Sequence, residues 1–148
     1  MRLVFVLLTA AFALPTTHAN AAACHLTPKQ VVTRFMTTLY VDKKARDAFE
    51  TWVDPGYIQH NPMAESGRDA AIGFLEPFLA QHPDANYSIK RIIADGSLVA
   101  VHSHGSFAPG DRGIAVVDIL RVEGCKVVEH WDVVQSVPEK SANSNGMF

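Results

Sequence analysis

Carboxylate and imidazole side chains recur at even spacing through the last third of the chain. Side chains two residues apart on a strand point to the same face of a sheet. If these segments are strands, one face collects titratable groups among aliphatic neighbours. The members of this predicted cluster are His102, His104, Asp118, His130 and Asp132.

Such groups are costly to bury unless they pair with one another. A cluster of this kind in a cleft often marks a functional site, and structural hydrogen bonds near the sheet rim are the alternative. We expect general acid–base chemistry or ligand binding from these side chains.

The elements that must position the cluster form a helical first half and a strand-rich second half. Helices are predicted from a Thr27-Pro28 start, over 43–53, and from near Ser66 with Asp69 in the capping-box position, ending before His82-Pro83. A turn at 54–56 and an extended piece at 57–62 separate the last two helices. Strands are predicted over 87–94, 98–104, 114–122 and 126–135.

This order predicts an α+β fold in which three N-terminal helices pack on a curved, mainly antiparallel sheet. A cavity between the two layers is where small-molecule sites usually lie. The second sheet face is also apolar, and its residues are Val99, Val101, Val117, Ile119, Trp131 and Val133. An antiparallel sheet exposed on one side alternates more cleanly, so we expect this outer face to be covered by a second copy in a homodimer.

The start of the chain predicts export. Arg2 precedes an uncharged apolar run at 3–14, and small residues follow at 19–23, which is the pattern of a cleavable signal peptide. We expect a signal peptide at 1–23, one domain at 24–148, and a secreted or periplasmic protein. Soluble export and a lipoprotein modified at Cys24 both remain open.

Two further features limit the function classes. The formal net charge is −2 and no basic run follows the leader, so nucleic acid is not an expected partner. No second apolar stretch could span a bilayer.

Cys24 and Cys125 are the two cysteines, and in an oxidising compartment they form either a disulfide or two unpaired thiols.

Four segments resemble the SnoaL-like polyketide cyclase family of the NTF2-like superfamily. The longest is VDILRVEGCKVVEHWDVVQ at 117–135, and the others are YIQHNP at 57–62, IADGSLVAVH at 93–102 and ANSNGMF at 142–148. The resemblance covers the mature chain. It implies an NTF2-like conical barrel with a deep pocket, and often a dimer.

The resemblance also implies site residues. The cyclases of the family use an aspartate near the end of the last strand as acid/base, and that position is Asp132 here. They place a histidine on the preceding strand, where this chain has Asp118, and a glutamine where it has Val116. The positions expected to contact a substrate are Asn61, His130, Tyr57 and Val116.

The leading mechanism is proton transfer at a carbon next to a carbonyl group. Asp132 would take the proton as the general base. His60 and His102 would donate hydrogen bonds to the developing enolate oxygen. Asp118 would orient one of the histidines. We therefore expect Asp132, His102, His60 and Asp118 to be the catalytic residues of an aldol-type or isomerase-type reaction that needs no cofactor.

Three alternatives remain. The first is a non-catalytic module that binds a small apolar ligand. The second is a zinc or iron site built from His60, His102, His130 and a carboxylate of Asp118 or Asp132, although the spacing matches no compact metal motif. The third is an Asp–Arg–Asp arrangement of the limonene-epoxide hydrolase type, which the strand parity of Arg121 disfavours.

Overall fold

The helices lie in the first half of the domain, as the sequence predicts. The computed structural model describes residues 24–148, so the predicted signal peptide at 1–23 lies outside the described residues. The helical elements are α1 (Pro28–Met36), a π-helical turn (Thr37–Val41), α2 (Ala45–Trp52) and α3 (Arg68–Gln81). None of the described helices combines the length and apolarity needed to cross a membrane.

The start of α1 follows directly from its sequence. The hydroxyl of Thr27 accepts a hydrogen bond from the backbone N–H of Gln30 (3.2 Å), and the Gln30 side chain accepts one from the backbone N–H of Thr27 (2.9 Å). This reciprocal capping box satisfies two helix donors. Pro28 occupies the first turn, where its missing N–H is harmless.

The start of α3 at Arg68 agrees with a helix that begins near Ser66, but the predicted capping box does not form. Gly67 occupies the cap position with φ of 102°, and no side chain caps the helix. The predicted cap near Ser66 is wrong because the Ser66 hydroxyl accepts instead from the backbone N–H of Gln59 (3.2 Å). This contact ties the segment before α3 to the end of the first strand.

Five strands form one curved sheet. They are β1 (Val53–Gln59), β2 (Asn86–Asp95), β3 (Leu98–Ser106), β4 (Ile114–Glu123) and β5 (Lys126–Ser136). Their order is β1-β5-β4-β3-β2, so the sheet has two open edges rather than closing into a barrel. The β1–β5 pair is parallel and all the others are antiparallel. The predicted turn at 54–56 lies within β1, where the pairing with β5 shifts register.

The core lies between the helices and one face of the sheet, which we call the inner face. Fully buried side chains from both layers meet there, including Val31 and Val32 of α1, Val99 and Val101 of β3, and Val127 of β5. The opposite face is the outer face. This arrangement confirms the predicted α+β class and leaves a cavity between the layers.

A disulfide joins Cys24 to Cys125 in the β4–β5 turn, with their Cα atoms 5.4 Å apart. This is one of the two states that the sequence left open. The bond closes a loop with a sequence separation of 101 residues. It fastens the segment that precedes α1 to the sheet.

Candidate active site

Strand register decides which predicted residues share the inner face. Asp118 of β4 lies directly opposite Asp132 of β5, and Leu120 lies opposite His130. Residues paired across a ladder project to the same side. Asp118, His130 and Asp132 therefore form one group, and a ligating atom from each lies within 4.8 Å of the others.

The predicted membership of His102 and His104 in this group is wrong. His102 lies opposite Val117 and His104 lies opposite Ala115, so both histidines point to the outer face. In the β3–β4 ladder each even-numbered residue is paired with an odd-numbered residue, as His102 is with Val117. Around Asp118 in the β4–β5 ladder, even-numbered residues are paired with even-numbered residues. The alternation within each strand was predicted correctly, but the register between β3 and β4 inverts the assignment.

The contacts of these histidines agree with the outer location. Nδ1 of His102 lies 2.9 Å from a guanidinium nitrogen of Arg91, and the ring of His104 packs 4.5 Å from that of Phe148. The prediction that Val99 and Val101 lie on the outer face is wrong for the same reason, since both valines are buried in the core.

His60 also lies outside the cavity, although the sequence predicts a catalytic role for it. Its Nε2 is 2.8 Å from a carboxylate oxygen of Glu129, and its ring stacks on Trp131 with a centroid distance of 4.7 Å. The parallel pairing of β1 with β5 brings this part of the chain beside the outer-face residues of β5. Neither His60 nor His102 lines the cavity.

The cavity between the inner face and the helices has a volume of about 650 Å³, enough for a ligand of drug size. Its wall is mainly apolar and includes Phe35, Met36, Leu39, Phe49, Leu75, Phe78, Val116 and Leu120. The polar groups in the wall are Tyr40, Tyr57, Gln59, Asn61, Glu65, Tyr87, Asp118, His130 and Asp132. Six predicted site residues are thus brought together: Tyr57, Asn61, Val116, Asp118, His130 and Asp132.

Gln59 fixes which atom of His130 carries a proton on the side of the ring away from Asp118. The backbone N–H of Asn61 donates to Oε1 of Gln59 (3.0 Å), so the same oxygen must accept from Nδ1–H of His130 (2.9 Å). Nε2 of His130 then faces Oδ1 of Asp118 at 3.0 Å. That contact requires one proton, carried by either the ring nitrogen or the carboxyl group.

Asp118 is otherwise fully engaged. Asp118 is only 6% exposed. Its Oδ2 accepts a hydrogen bond from the hydroxyl of Tyr87 at 2.6 Å. Both oxygens of this buried carboxyl group are therefore occupied, as a buried charge requires. Its contacts suit a positioning residue for His130.

Asp132 is held on one side only. The backbone N–H of Met63 donates to Oδ1 of Asn61 (2.8 Å), which turns the amide nitrogen of Asn61 toward Oδ2 of Asp132 (2.7 Å). Within residues 24–148, Oδ1 of Asp132 has no hydrogen-bond partner. A carboxylate with one anchored and one uncommitted oxygen in a mainly apolar cavity is arranged as a proton acceptor.

The sequence analysis did not single out four polar cavity residues: Tyr40, Gln59, Glu65 and Tyr87. Tyr87 lies at the start of β2 and reaches Asp118 of β4 across β3. Gln59 links His130 to Tyr57, since its Nε2 donates to the Tyr57 hydroxyl at 3.0 Å. Gln59 stands inside the YIQHNP segment, so its neighbours Tyr57 and Asn61 were the available signal.

Residues 32–130 match the profile of the SnoaL-like domain. No curated protein sequence matches the chain significantly.

Solved structures share the fold at low identity. IdmH from Streptomyces antibioticus is 16% identical, with a TM-score of 0.60 over 74% of this chain and 92% of IdmH. A SnoaL-like protein of unknown function from Burkholderia thailandensis is 15% identical, with a TM-score of 0.61 over 74% and 95%. An NTF2-like protein of unknown function from Cytophaga hutchinsonii is 14% identical, with a TM-score of 0.61 over 76% and 93%.

These likenesses confirm the NTF2-like fold, and the profile match covers more than half of the chain. The chain therefore belongs to the family of SnoaL-like domain proteins.

Proposed function

We propose that this protein binds a small, largely apolar carbonyl compound and that Asp132 transfers a proton at the carbon next to its carbonyl group. The observation that carries the proposal is the uncommitted Oδ1 of Asp132 in a mainly apolar cavity, with Oδ2 anchored by Asn61. A polar group in such a wall fixes the orientation of an apolar ligand.

The reaction balances without a cofactor. The carboxylate of Asp132 takes the proton, the electrons of the C–H bond form a carbon–carbon double bond, and the carbonyl oxygen becomes an enolate oxygen. Return of the proton to another carbon gives an isomerisation. Attack of the enolate carbon on a second carbonyl group of the same molecule, with the proton of Asp132 passing to the new alkoxide, gives an aldol closure.

The family supports this class of chemistry. IdmH is described as a candidate polyketide cyclase. The family cyclases are expected to carry an imidazole on the strand before the catalytic aspartate. In this chain the imidazole is on the same strand as the aspartate, at His130, and a carboxyl group faces it from the preceding strand, at Asp118.

The test is exchange of carbonyl-adjacent protons in deuterated buffer, followed by proton NMR. A panel of 1-tetralone, 2-tetralone and cyclohexanone covers aryl and aliphatic ketones of cavity size. We expect accelerated loss of the signal from the carbon beside the carbonyl group in at least one ketone. Ketones that bind without any accelerated exchange would instead identify a non-catalytic binding module, which the apolar wall also suits.

A metal site is the second candidate, because Asp118, His130 and Asp132 offer three ligand atoms within 4.8 Å. A ligating histidine usually donates its other N–H to an acceptor, and Nδ1–H of His130 donates to Gln59. The four-residue set predicted from the sequence is not assembled, since His60 and His102 lie on the outer face.

Zinc binding can be measured by native mass spectrometry of protein purified without chelator and titrated with zinc chloride. If the metal function holds, one zinc ion binds per chain, and His130→Gln abolishes binding while His102→Gln on the outer face does not. Protein that stays metal-free at excess zinc, or zinc that survives His130→Gln, would rule this candidate out.

We further propose that the outer face binds a second copy of the chain. Apolar side chains with substantial exposure lie on this face: Ile58 (45%), Ile93 (63%), Leu98 (42%) and Val133 (68%). Ile93 lies opposite Ala100 and Val133 lies opposite Val117 on this face, whereas Leu98 and Ile58 lie opposite the ion-paired residues Arg121 and Glu129. Exposed apolar side chains grouped on one sheet face favour an interaction site.

Trp131→Glu is expected to weaken such a dimer by at least about 100-fold in dissociation constant, because it places an unpaired charge in an apolar interface. Ala80→Glu on the exposed side of α3 introduces the same charge on the helical layer and should leave the assembly unchanged. Sedimentation velocity over a concentration series measures both. A Trp131→Glu variant that dimerises like the parent would show that another surface is used.

We also propose that the protein acts outside the cytoplasm. The leader pattern at 1–23 and the Cys24–Cys125 disulfide both favour this location, since disulfides persist in oxidising compartments. The intact mass of protein recovered from a bacterial periplasm identifies the cleavage point. It also distinguishes the Cys24–Cys125 disulfide from a lipid on Cys24, because a thioether-linked lipid would occupy the sulfur that the disulfide uses.

A further inference from the structure

Two tyrosine hydroxyls in the cavity wall have protons that no acceptor uses. The Tyr57 hydroxyl accepts a hydrogen bond from Gln59 (3.0 Å), which leaves its own proton free. The Tyr40 hydroxyl has no hydrogen-bond partner within residues 24–148. The third cavity tyrosine differs, because the proton of Tyr87 is committed to Asp118 at 2.6 Å.

The fold holds both rings beside the titratable group. Tyr40 projects from the π-helical turn Thr37–Val41, and such turns recur at functional sites because they realign the side chains of a helix. Its ring stacks on Tyr87 with a centroid distance of 3.9 Å and an interplanar angle of 13°. The ring of Tyr57 lies 6.4 Å from that of His130, at 22°. The two tyrosines thus approach the Asp118–His130 pair from different elements.

Burial and neighbouring charge keep both phenols protonated. Burial is the main cause that raises the pKa of Tyr40 far above its usual value, followed by the negative charge of Asp118. The same two causes, in the same order, raise the pKa of Tyr57. Each group is therefore a neutral hydrogen-bond donor at neutral pH. The negative charge of Asp132 is a smaller cause that raises the pKa of both tyrosines, and all three residues line the same cavity.

We propose that Tyr40 and Tyr57 form a two-donor site for the carbonyl oxygen of the ligand. This inference rests on the proposed function and fills the donor role that the sequence assigned to His60 and His102. Both tyrosines line the cavity, so a ligand carbonyl oxygen can take the place of water as the acceptor of their hydroxyl protons. Donors already in place where negative charge develops stabilise an enolate without reorganisation.

The donor site fits the charge balance of the reaction. As Asp132 gains a proton it loses its negative charge, and the same charge appears on the ligand oxygen held by the two hydroxyls. The tyrosines donate hydrogen bonds and transfer no proton. The total charge of the cavity is therefore unchanged through the step, which matters in a poorly solvated site.

The test measures the carbonyl stretch of bound 1-tetralone labelled with ¹³C at the carbonyl carbon, by difference infrared spectroscopy. The stretch should shift to lower frequency on binding to the wild-type protein. Tyr40→Phe and Tyr57→Phe should each remove part of this shift, and the double variant should remove nearly all of it. Each single variant should weaken tetralone binding by roughly 2- to 10-fold, the usual effect of one hydrogen bond.

Two controls separate donation from packing. Tetralin has the same rings without the oxygen, so its affinity should change little in any of the variants. Thr38→Val removes a hydroxyl from the same π-helical turn, where the Thr38 hydroxyl donates to the backbone carbonyl of Arg34 and does not line the cavity. It should preserve the wild-type carbonyl shift.

The outcomes distinguish the donor site from the proton transfer. A wild-type carbonyl shift that persists in the double variant overturns the donor site, and so does a wild-type complex with no shift. Loss of the shift in the double variant supports the donor site. If that loss occurs while the wild-type protein exchanges no protons, the donor site stands and the assignment of Asp132 as a base fails.

Discussion

Asp132→Asn is expected to slow exchange of carbonyl-adjacent protons by about 10²- to 10⁴-fold, the range that a positioned general base contributes. The amide has nearly the same shape as the carboxylate but is a far weaker proton acceptor. It can turn its oxygen toward the amide N–H of Asn61, which preserves the 2.7 Å contact of the parent. The loss should therefore fall on the rate and leave the fold and ligand affinity largely intact.

The matched control is Asp84→Asn, which removes a carboxylate from an exposed position that does not line the cavity. Exchange by this variant should equal that of the wild type. Proton NMR of the ketone in deuterated buffer gives the rates, and ligand titration confirms that both variants bind. An Asp132→Asn variant that exchanges as fast as the control would show that another group takes the proton.

The proposed role of Asp132 depends on a short segment from the end of β1 to the start of α3. Gln59 and Asn61 lie there, and both amides have their orientation set by backbone N–H groups, of Asn61 and Met63 respectively. Ser66 joins the same segment to the backbone of Gln59. Hydrogen bonds from the local backbone thus fix the side chains of Gln59 and Asn61, which in turn orient His130 and Asp132. Such support keeps a site within the tolerance that catalysis needs.

Local features of the sequence predict most of the fold. The capping box at Thr27 and Gln30 forms as expected, and the four predicted strands extend only one or two residues beyond their predicted bounds. The exception is β1, which includes the predicted turn at 54–56. These features depend on short-range contacts and alternation within one strand. The order of three helices followed by strands then restricts the fold class.

The relation between strands is where prediction failed for His102 and His104. Alternation reveals which residues of one strand share a face, but a one-residue change in register exchanges the faces. The turn between β3 and β4 spans 107–113, too long to fix the register by its length alone. The β4–β5 turn, in contrast, is tight and limits the register of the two strands. The prediction that Asp118 and Asp132 share a face is therefore correct.

The contribution of Tyr40 depends on backbone geometry that hydrophobic periodicity does not reveal. The sequence predicts a helix that begins at Thr27-Pro28, and in the structure this helix widens into a π-helical turn at Thr37–Val41. The stacking of Tyr40 on Tyr87 also joins the turn to β2, which is distant in sequence. Long-range contacts of this kind are established by packing rather than by local propensity.

Removal of the Cys24–Cys125 disulfide is expected to lower the free energy of unfolding by about 4 to 5 kcal/mol. In the chain-entropy account, a cross-link that closes a loop of this length restricts the unfolded chain by that amount. The sequence separation of 101 residues is most of the domain, so the effect is near the upper end for one bond. Cys24→Ser combined with Cys125→Ser keeps the side-chain size nearly constant.

Urea unfolding followed by tryptophan fluorescence measures the loss in the double variant, with the oxidised parent as the reference. The reduced parent should behave like the variant, because reduction breaks the same bond without any substitution. A decrease below about 1 kcal/mol would mean that the unfolded chain is already compact, so the cross-link restricts little. Neither cysteine lines the cavity, so proton exchange per folded molecule should stay close to that of the parent. A parallel loss of stability and of exchange per folded molecule would instead show that the bond also supports the geometry of Asp132.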